Sequence, residues 1–514
     1  MVARILFICL AVCGVAFAES PPVLPVGEEG PALTVYSTAD PAGFDPQQFI
    51  AQQKVGGNPN YAWAVPGFGV VKESRKVKLT EGMNELRFTD VAQFIDPTTV
   101  SFTDLSHHGG STVLEQNFQF DLVSPEKLFE KFLDREISVI LTHGEKSETV
   151  TGKLLSLVQG QLVVQTADGV RVISSQGQQV QLGELPGGLI TRPTLVWKVN
   201  AAQAGDHTIQ TTYQTNGLTW RSDYNLVIDE RETKADLGAW VTLMNLCGAG
   251  FKNTRLKLIA GDVQRIQPQS PGGGRFAKRG MAEMAMAADT GFEEKAFFEY
   301  HLYTLPRRTD VLANTTQQIT LFPTARDVDV EKLLVYYGLP EAAHWGVYGQ
   351  PMQDRSMGTQ SNPKVDVYLR FKNDKASHLG MPLPKGKVRV YKRDQADGTL
   401  EFVGEDLIDH TAKDEKVLVK LGQSFDVVGE RVQTNFTMDT NRKTITDSYK
   451  ITVRNHKKEA QKVLIKENLF RWTTWSITES SDKYEKVDAR TIHFEVTVPP
   501  DGEKTVTYTV RYEW

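Results

Sequence analysis

Residues 216–228 read NGLTWRSDYNLVI, and this stretch decides the fold. From Leu218 to Ile228 the even positions are mostly apolar and the odd positions mostly polar, a period of two that is typical of a β-strand with one buried face. We expect Trp220 and Tyr224 to lie in the core. Asn216-Gly217 ahead of the strand is a strong hairpin signal, because both residues of a type I′ turn take positive φ. We therefore interpret residues 194–263 as a meander of antiparallel strands joined by tight turns.

The same alternation recurs along most of the chain, which at 514 residues is too long for one core. We predict a mainly β, multi-domain protein of antiparallel β-sandwiches with an inserted small SH3-like barrel and few short helices. After a signal peptide at 1–18, the predicted regions are a flexible leader at 19–30, an N-terminal β domain at 31–127, the barrel at 128–190, a first β-sandwich at 191–345 and a C-terminal β-sandwich at 346–514.

Two short helices are predicted from their N-terminal signals. Asp45-Pro46 and Ser124-Pro125 each place a good N-cap residue before a proline, which is well tolerated in the first turn. We expect one or two helical turns after each pair.

The N-terminus carries the features of a signal peptide. Arg4 precedes an apolar run at 5–18, ILFICLAVCGVAFA, which is short for a transmembrane helix. The Ala-x-Ala pattern that ends at Ala18 predicts cleavage after that residue. Lipidation at Cys13 is the alternative, and Val12 disfavours it. We expect an exported protein of the periplasm or cell surface, with no transmembrane helix in the mature chain.

Charge and cysteine content exclude further classes of protein. The formal charge is -5, and removal of Arg4 with the signal makes it -6, whereas a nucleic-acid-binding protein usually has a basic balance or basic face. Cys9 and Cys13 leave with the signal, so no internal disulfide remains. Cys247 lies in an alternating strand, and we interpret it as a buried small apolar residue and not a nucleophile.

Three pairs of residues are candidate chemical sites. Glu299 and His301 lie two apart on a predicted strand and share a face, which suits an acid–base pair or two metal ligands, although a structural hydrogen bond is the preferred interpretation. Arg221 and Asp223 have the same spacing and predict a surface ion pair. The third pair, at 107 and 108, is two histidines ahead of two glycines and predicts an exposed turn. We assign no catalytic, cofactor-binding or metal-binding residue and expect no cofactor.

Two long loops are the other candidates. The loop at 264–295 contains Gly272-Gly273-Gly274-Arg275 and Lys278-Arg279, but it lacks the Gly-Lys-Ser/Thr ending of a phosphate-binding loop. It predicts a solvated mobile segment with a weak attraction for anionic polymers. The loop at 338–362 carries four candidate side chains, His344, Trp345, Tyr348 and Met352. Its aromatic rings suit stacking on sugars, but we favour the interpretation that Trp345 plugs the end of a sandwich. Any function is expected where the two loops approach each other.

Several stretches together resemble a known family. They include WRSDY at 220–224, LIAGD at 258–262, Pro382-Leu383-Pro384 and SFDVVGE at 424–430. This combination resembles the bacterial family defined by domain of unknown function 4139, which includes mucoidy-inhibitor-like proteins. The resemblance covers about 191–514 well and 70–135 more loosely. It implies an exported β protein of the cell envelope and implies no catalytic residues.

Three functions remain open from the sequence. The preferred one is a non-catalytic binding or scaffolding protein whose partner is an unknown envelope protein or glycan. The first alternative is an envelope hydrolase that acts on glycan or peptide. The second is a self-assembling surface subunit that associates through exposed sheet edges or the barrel. A cleft with several converging carboxylates or histidines would favour the hydrolase.

Overall fold

The computed structural model describes residues 30–56, 61–107, 109–120, 123–143, 146–184, 190–261, 263, 292–297, 300–345 and 349–514. The protein is mainly β, with antiparallel and mixed sheets, as the alternation in the sequence predicts. The described helices are α1 at Pro46–Gly56 and α2 at Pro125–Lys131, with 3-10 turns at Tyr61–Ala64, Pro340–His344 and Lys375–Ser377.

Strands make up the rest of the regular structure. Strands β1 to β15 are Ala32–Ser37, Gly67–Leu79, Gly82–Thr89, Ile95–Asp104, Ser111–Gln119, Glu136–His143, Lys146–Val158, Gln161–Thr166, Gly169–Ser174, Gln179–Gln181, Thr194–Ala201, Gly205–Asn216, Leu218–Ile228, Lys234–Asn245 and Phe251–Ala260. Strands β16 to β29 are Glu293–Phe297, Tyr300–Thr304, Thr309–Val311, Thr315–Tyr337, Lys364–Lys372, Gly386–Arg393, Leu400–Ile408, Lys416–Asp439, Thr444–Asn455, Gln461–Asn468, Trp475–Ser480, Glu485–Lys486, Thr491–Val498 and Gly502–Glu513.

The described strands form four sheets. An eight-stranded sheet has the order β16-β17-β15-β1-β2-β12-β4, with β18 also paired to β15. A three-stranded sheet has the order β3-β11-β5, and a five-stranded sheet has the order β10-β6-β7-β8-β9. The thirteen-stranded sheet follows the path β22-β21-β13-β14-β19-β20-β23-β24-β29-β26 and is extended by β25, β27 and β28.

The alternation predicted at 218–228 is confirmed, but the prediction of a hairpin ahead of it is wrong. All six even positions of β13 are buried, and Trp220 and Tyr224 lie in the core as expected. However, β12 pairs with β2 and β4, whereas β13 pairs with β14 and β21. The chain therefore passes from one sheet to another at Gly217, whose φ is +87°. The meander interpretation fails for the same reason, since β11, β12 and β13 belong to three different sheets.

One large hydrophobic core takes residues from both sides of the five-stranded insertion. It combines Leu33 and Phe88 from the N-terminal part with Trp197, Tyr224 and later residues up to Val419. A second core belongs to the C-terminal part of the chain, from Leu334 to Tyr512. Two long strands, β19 and β23, contribute residues to both cores. The domain boundaries given above stay a prediction.

The five-stranded sheet has a separate core, made by residues from Phe132 to Ile173. The region predicted as a barrel contains strands β6 to β10. Among the described residues the pairing runs from β10 to β9 without a closing pair. A sheet is therefore shown here, and its closure into an SH3-like barrel is not.

Both predicted helix starts are confirmed. Asp45 Oδ1 accepts the backbone N–H groups of Gln47 and Gln48 at 2.9 and 3.0 Å, and Ser124 Oγ accepts that of Lys127 at 3.3 Å. These side chains satisfy N–H groups that have no partner within the first helical turn. The loop predicted at 264–295 is shorter at its C-terminal end than expected, because Glu293 already belongs to β16. Its glycine-rich part and basic residues lie outside the described residues.

Candidate binding cleft

A shallow cleft lies where β1, β13 and β15 meet the segment before β21. It is small and partly open to solvent, with room for about one water-sized molecule. Its buried floor is apolar, and its rim contains the basic side chains Arg221, Lys385 and His410. The floor and the remaining rim are formed by Ser37, Ala39, Trp220, Ile259, Ala260, Gly261 and Pro384.

Three stretches that are far apart in sequence build this cleft. WRSDY at 220–224 contributes Trp220 and Arg221, LIAGD at 258–262 contributes three residues, and the Pro-Leu-Pro segment contributes Pro384. These are stretches on which the family resemblance rests. Trp220 was predicted to be part of the scaffold, and function was expected at the two long loops. The convergence of these stretches on one cleft was not predicted.

Two tyrosine hydroxyls fix the wall formed by the Pro-Leu-Pro segment. Tyr224 donates to the carbonyl of Pro384 at 2.7 Å, and Tyr303 donates to that of Pro382 at 2.9 Å. Burial raises the pKa of both Tyr224 and Tyr303, so both remain protonated donors. Gly386 allows the wall to approach β13, since a Cβ there would lie 2.4 Å from the carbonyl oxygen of Ser222. The cleft is therefore preformed.

Arg221 joins the rim of the cleft to helix α1. Its Nη1 donates to the carbonyl of Phe44 at 3.1 Å and lies 3.5 Å from Asp45 Oδ2, while its Nε lies 3.2 Å from Asp223 Oδ2. Hydrogen bonds from the backbone N–H of Gln48, together with the charge of Arg221, lower the pKa of Asp45 despite its partial desolvation. Arg221 is thus held in place by two carboxylates.

His410 and Lys385 lie side by side on the opposite rim. The backbone N–H of Lys385 donates to His410 Nδ1 at 3.2 Å. With Nδ1 as an acceptor, a neutral His410 ring carries its proton on Nε2. The rim thus contains two cationic side chains and an imidazole beside an apolar floor. This combination suits an apolar group that carries a negative charge.

The ion pair predicted between Arg221 and Asp223 forms, but it is buried and not on the surface. Asp223 is 4% exposed, and its Oδ2 also accepts the hydroxyl of Thr242 at 2.6 Å. Its Oδ1 has no hydrogen-bond partner, and the nearest cation is Arg389, with Nη1 at 3.6 Å. β13 buries both faces at this point, which a period-two pattern does not reveal.

The predicted partner of His301, Glu299, lies outside the described residues. His301 Nδ1 lies 2.7 Å from Glu294 Oε1 instead. Glu294 is opposite Tyr303 and His301 is opposite Ala296, so the pair crosses the β16–β17 ladder diagonally. His301 is also opposite Ala260, which lines the cleft. The sequence missed Glu294 because residue 294 was assigned to the loop.

A buried histidine, His207, was not predicted either. His207 is buried, with Nδ1 2.6 Å from Asp104 Oδ2 and Nε2 3.2 Å from the carbonyl oxygen of Gln203. Both ring nitrogens face acceptor oxygens, one from Asp104 and one from the backbone of Gln203. His107 lies in an exposed bend as expected, with its ring 4.8 Å from that of His207, and His108 lies outside the described residues. Among the described residues no group of three or more His, Cys, Asp or Glu side chains could hold a metal ion.

Cys247 is fully buried, as predicted. Its Sγ lies 3.5 Å from the carbonyl oxygen of Ala249, and burial raises the thiol pKa to about 12. The thiolate is the reactive form, and at neutral pH it is not populated here. Cys247 therefore packs as a small apolar residue.

Trp345 is half-buried and packs in a small cluster with Phe470 that is separate from the C-terminal core, and its role as a plug of the sandwich stays a prediction. Its ring meets that of Phe470 edge to face at a centroid distance of 5.0 Å, and Arg490 Nη1 donates to its carbonyl at 2.8 Å. Met352 packs in the same small cluster. His344 is exposed, and Tyr348 lies outside the described residues. The side chains of this loop that the structure describes thus offer no row of free aromatic rings.

Comparison with protein families decides the relationship of the chain to known proteins. The model for domain of unknown function DUF4139 matches residues 209–514. The chain belongs to the DUF4139 family. The match begins within β12 and includes most of the cleft residues, which places the cleft within the family domain apart from Ser37 and Ala39. No curated protein matches the chain. None of the described helices has the length and apolar character needed to span a lipid bilayer.

Proposed function

We propose that this DUF4139 protein is an exported, non-catalytic β protein of the cell envelope that binds or scaffolds an envelope component through the cleft. The observation that carries the proposal is the convergence of WRSDY, LIAGD and Pro-Leu-Pro on one preformed cleft. A binding role is favoured because the floor is apolar and rigid and the rim is basic. The ionisable groups near it already have partners, since Asp223 bonds to Thr242 and His301 to Glu294.

Export rests on Arg4, the apolar run at 5–18 and the nature of the family. The test expresses the full chain from its own N-terminus in a bacterium, separates periplasm, envelope and cytoplasm, and measures the mass of the recovered protein. We expect an exported chain that begins at Glu19. A lipidated chain that begins at Cys13 would favour the anchored alternative, and a cytoplasmic chain that keeps residues 1–18 would refute export.

Binding is tested by co-sedimentation of the mature protein with isolated envelopes. The variant K385E/H410E reverses the charge of one side of the rim, and Arg442→Glu, at an exposed and distant side chain, is the matched control. We expect the rim variant to bind roughly tenfold more weakly, since loss of a few central contacts removes most of the binding energy. Equal binding by all three proteins would refute a role for the cleft.

The non-catalytic part of the proposal has its own test. Asp223→Asn and His301→Gln keep the size of each side chain and remove its titration. Hydrolysis of isolated peptidoglycan and of envelope peptides is measured for both variants and for the wild type. We expect no difference among them. A loss of hydrolysis in either variant, at unchanged melting temperature, would support the hydrolase.

A further inference from the structure

Trp240 lies in the middle of the thirteen-stranded sheet and is nevertheless 39% exposed. It belongs to β14, between β13 and β19, and its neighbours along the strand, Ala239 and Val241, are buried in the large core. The indole therefore lies on the opposite face of the sheet, where solvent reaches it. A tryptophan on a sheet face offers a flat apolar surface with a polar edge. β13, β14, β19 and β21, which surround this ring, all belong to the family domain.

Gly238 leaves a shallow trough beside the ring. It lies two residues before Trp240 and therefore on the same face of β14. Its φ is not positive, and a Cβ added there would meet Thr324 Oγ1 at 3.7 Å and the carbonyl oxygen of Asn225 at 3.9 Å, with nothing closer. Neither backbone conformation nor packing requires glycine at this position. Glycine weakens a strand interior, and it often marks a place where a ligand approaches the backbone.

The pairing of β14 with β19 is irregular beside the trough. Three steps along β14, from Leu237 to Trp240, correspond to five steps along β19, from Ala325 to Thr320. β19 is therefore bulged here, and its Thr324 is exposed and forms one side of the trough. Bulges change the direction of side chains and are common beside binding sites.

Polar groups without hydrogen-bond partners surround the ring and the trough. Asn225 is opposite Gly238 on β13, and Thr320 is opposite Trp240 on β19. Within the part of the chain that the structure describes, the amide of Asn225 and the hydroxyls of Thr320 and Thr324 make no hydrogen bond. One amide and two hydroxyls are therefore available to donate and to accept beside the ring.

Arg389 adds a guanidinium to this surface. It is opposite Asn225 on β21, with Nε 3.5 Å from Glu405 Oε2 and Nη1 3.6 Å from Asp223 Oδ1. Both distances are too long for good hydrogen bonds, so the N–H groups of Arg389 can still donate to a ligand. Lys387, opposite Asp223, is the second base. Two bases and two carboxylates balance on this face, which favours an uncharged ligand over a charged polymer.

We propose that the surface around Trp240 and Gly238 binds uncharged sugar units of a polysaccharide. One face of a pyranose ring consists mainly of C–H groups and stacks on an indole, while its hydroxyls project sideways toward amide, hydroxyl and guanidinium groups. A protein partner is disfavoured because the centre of a protein interface is apolar, whereas polar groups surround this ring. The inference goes beyond the proposed function, because it assigns a surface outside the cleft and a class of ligand.

The first test is isothermal titration of the mature protein with three sugar hexamers. Cellohexaose and the hexamer of N-acetylglucosamine are uncharged, and hexagalacturonic acid is anionic. We expect binding of at least one uncharged hexamer, and Trp240→Ala should weaken it roughly tenfold or more. Trp63→Ala, at a tryptophan that is 58% exposed and lies outside the family domain, is the matched control and should bind as the wild type does. Binding of the anionic hexamer alone, or of none, would overturn the proposal.

A second variant separates blocked binding from lost structure. Gly238→Val fills the trough, and the space around the added Cβ accommodates it. Valine is favoured in strands, so the melting temperature should stay the same or rise. Binding of the uncharged hexamer should nevertheless fall roughly tenfold. A folded Gly238→Val protein, or a folded Trp240→Ala protein, that binds the hexamer as the wild type does would overturn the proposal.

The sugar site and the cleft fail in different ways. The cleft variant K385E/H410E should bind the hexamer as the wild type does, because neither residue belongs to the surface around Trp240. If that variant also sediments with envelopes as the wild type does, the role of the cleft is refuted and the sugar site stands. A protein that binds no uncharged hexamer, yet loses envelope binding in K385E/H410E, overturns the sugar site and leaves the proposed function in place.

Discussion

The guanidinium of Arg471 and the carboxylate of Asp447 form an ion pair from which solvent is fully excluded. Arg471 Nε lies 2.5 Å from Asp447 Oδ2, and both side chains are 0% exposed. Gln433 Nε2 donates to the other carboxylate oxygen at 2.7 Å, and Tyr449 donates to Oδ2. The other N–H groups of Arg471 donate to the carbonyls of Met352, Asp354 and Met357. The pair therefore ties the loop that follows β19 to the C-terminal sandwich.

A second buried pair supports the same loop. Arg431 Nε lies 2.9 Å from Glu467 Oε2, both side chains are 2% exposed, and Arg431 Nη1 donates to the carbonyl of Gly358 at 2.6 Å. The charge of Glu467 keeps the pKa of Arg431 raised although burial opposes this. Arg431 on β23 and Arg471 in the segment between β25 and β26 thus donate to backbone carbonyls of the same loop.

Removal of Arg471 is predicted to be strongly destabilising. Arg471→Met leaves Asp447 buried without its cation and frees three loop carbonyls, so we expect a loss of about 3–5 kcal/mol in the free energy of unfolding. The measurement is urea unfolding followed by the fluorescence of tryptophan. Arg454→Met removes an exposed ion pair with Glu430 and is the control, with an expected loss below about 1 kcal/mol. Equal losses in the two variants would show that Arg471 has no special role.

Gly217 is predicted to tolerate no side chain. Its φ of +87° is unfavourable for other residues, and a Cβ would lie 2.9 Å from the Cα and N of Cys247. We expect Gly217→Ala to cost about 2 kcal/mol or more, from conformational strain and from the clash. Gly82→Ala is the matched control, because φ is +91° there and nothing lies within 4 Å of the added Cβ. Comparison of melting temperatures isolates the clash, and an equal decrease in both variants would contradict this account.

Glu232 is predicted to make the free energy of unfolding depend on pH in the acidic range. Partial desolvation favours its neutral form, but the ammonium groups of Lys332 and Lys392 outweigh this and lower its pKa from 4.5 to about 2. A lowered folded-state pKa gives stability that is present above pH 4.5 and is lost as the pH falls toward 2. Glu232→Gln should therefore cost about 1 kcal/mol at pH 7, after allowance for solvent screening, and almost nothing near pH 2. Unfolding free energies of both proteins across this range test the prediction, and a difference that grows in acid would contradict it.

The hydroxyl of Tyr224 is predicted to stabilise the Pro-Leu-Pro wall of the cleft. Tyr224→Phe removes the donor to the carbonyl of Pro384 and leaves that acceptor buried, which we expect to cost about 1–3 kcal/mol. Binding to envelopes should weaken as well, because the wall is then less well fixed. Tyr391→Phe is the control and should change neither property, because Tyr391 lies on β21 with its ring against Phe402 of β22. Lowered stability with unchanged envelope binding would show that the wall need not be fixed.

Local features of this fold could be predicted from the sequence, and pairing between distant strands could not. The capping by Asp45 and Ser124 depends on neighbours within one helical turn, and both were predicted. The alternation in β13 identifies a strand and its buried face, but Asn216-Gly217 does not say whether the next strand joins the same sheet. Gly217 instead lies where the chain passes from one sheet to another.

The site required information that no local pattern contains. Tyr224 and Pro384 lie 160 residues apart, and their contact depends on the parallel pairing of β13 with β21. Glu294 was missed as the partner of His301 because the register of β16 on β17 is set by tertiary structure. The family stretches were recognised in the sequence, but only the fold brings WRSDY, LIAGD and Pro-Leu-Pro together.

The most direct test of the binding role of the cleft is hydrogen–deuterium exchange of the mature protein with and without isolated envelopes. We predict slower amide exchange in five segments, 35–39, 219–222, 258–261, 382–386 and 409–411, and unchanged exchange in the five-stranded sheet at 136–181. Unchanged exchange in those five segments, together with slowed exchange elsewhere, would contradict the assignment of this cleft as the binding site.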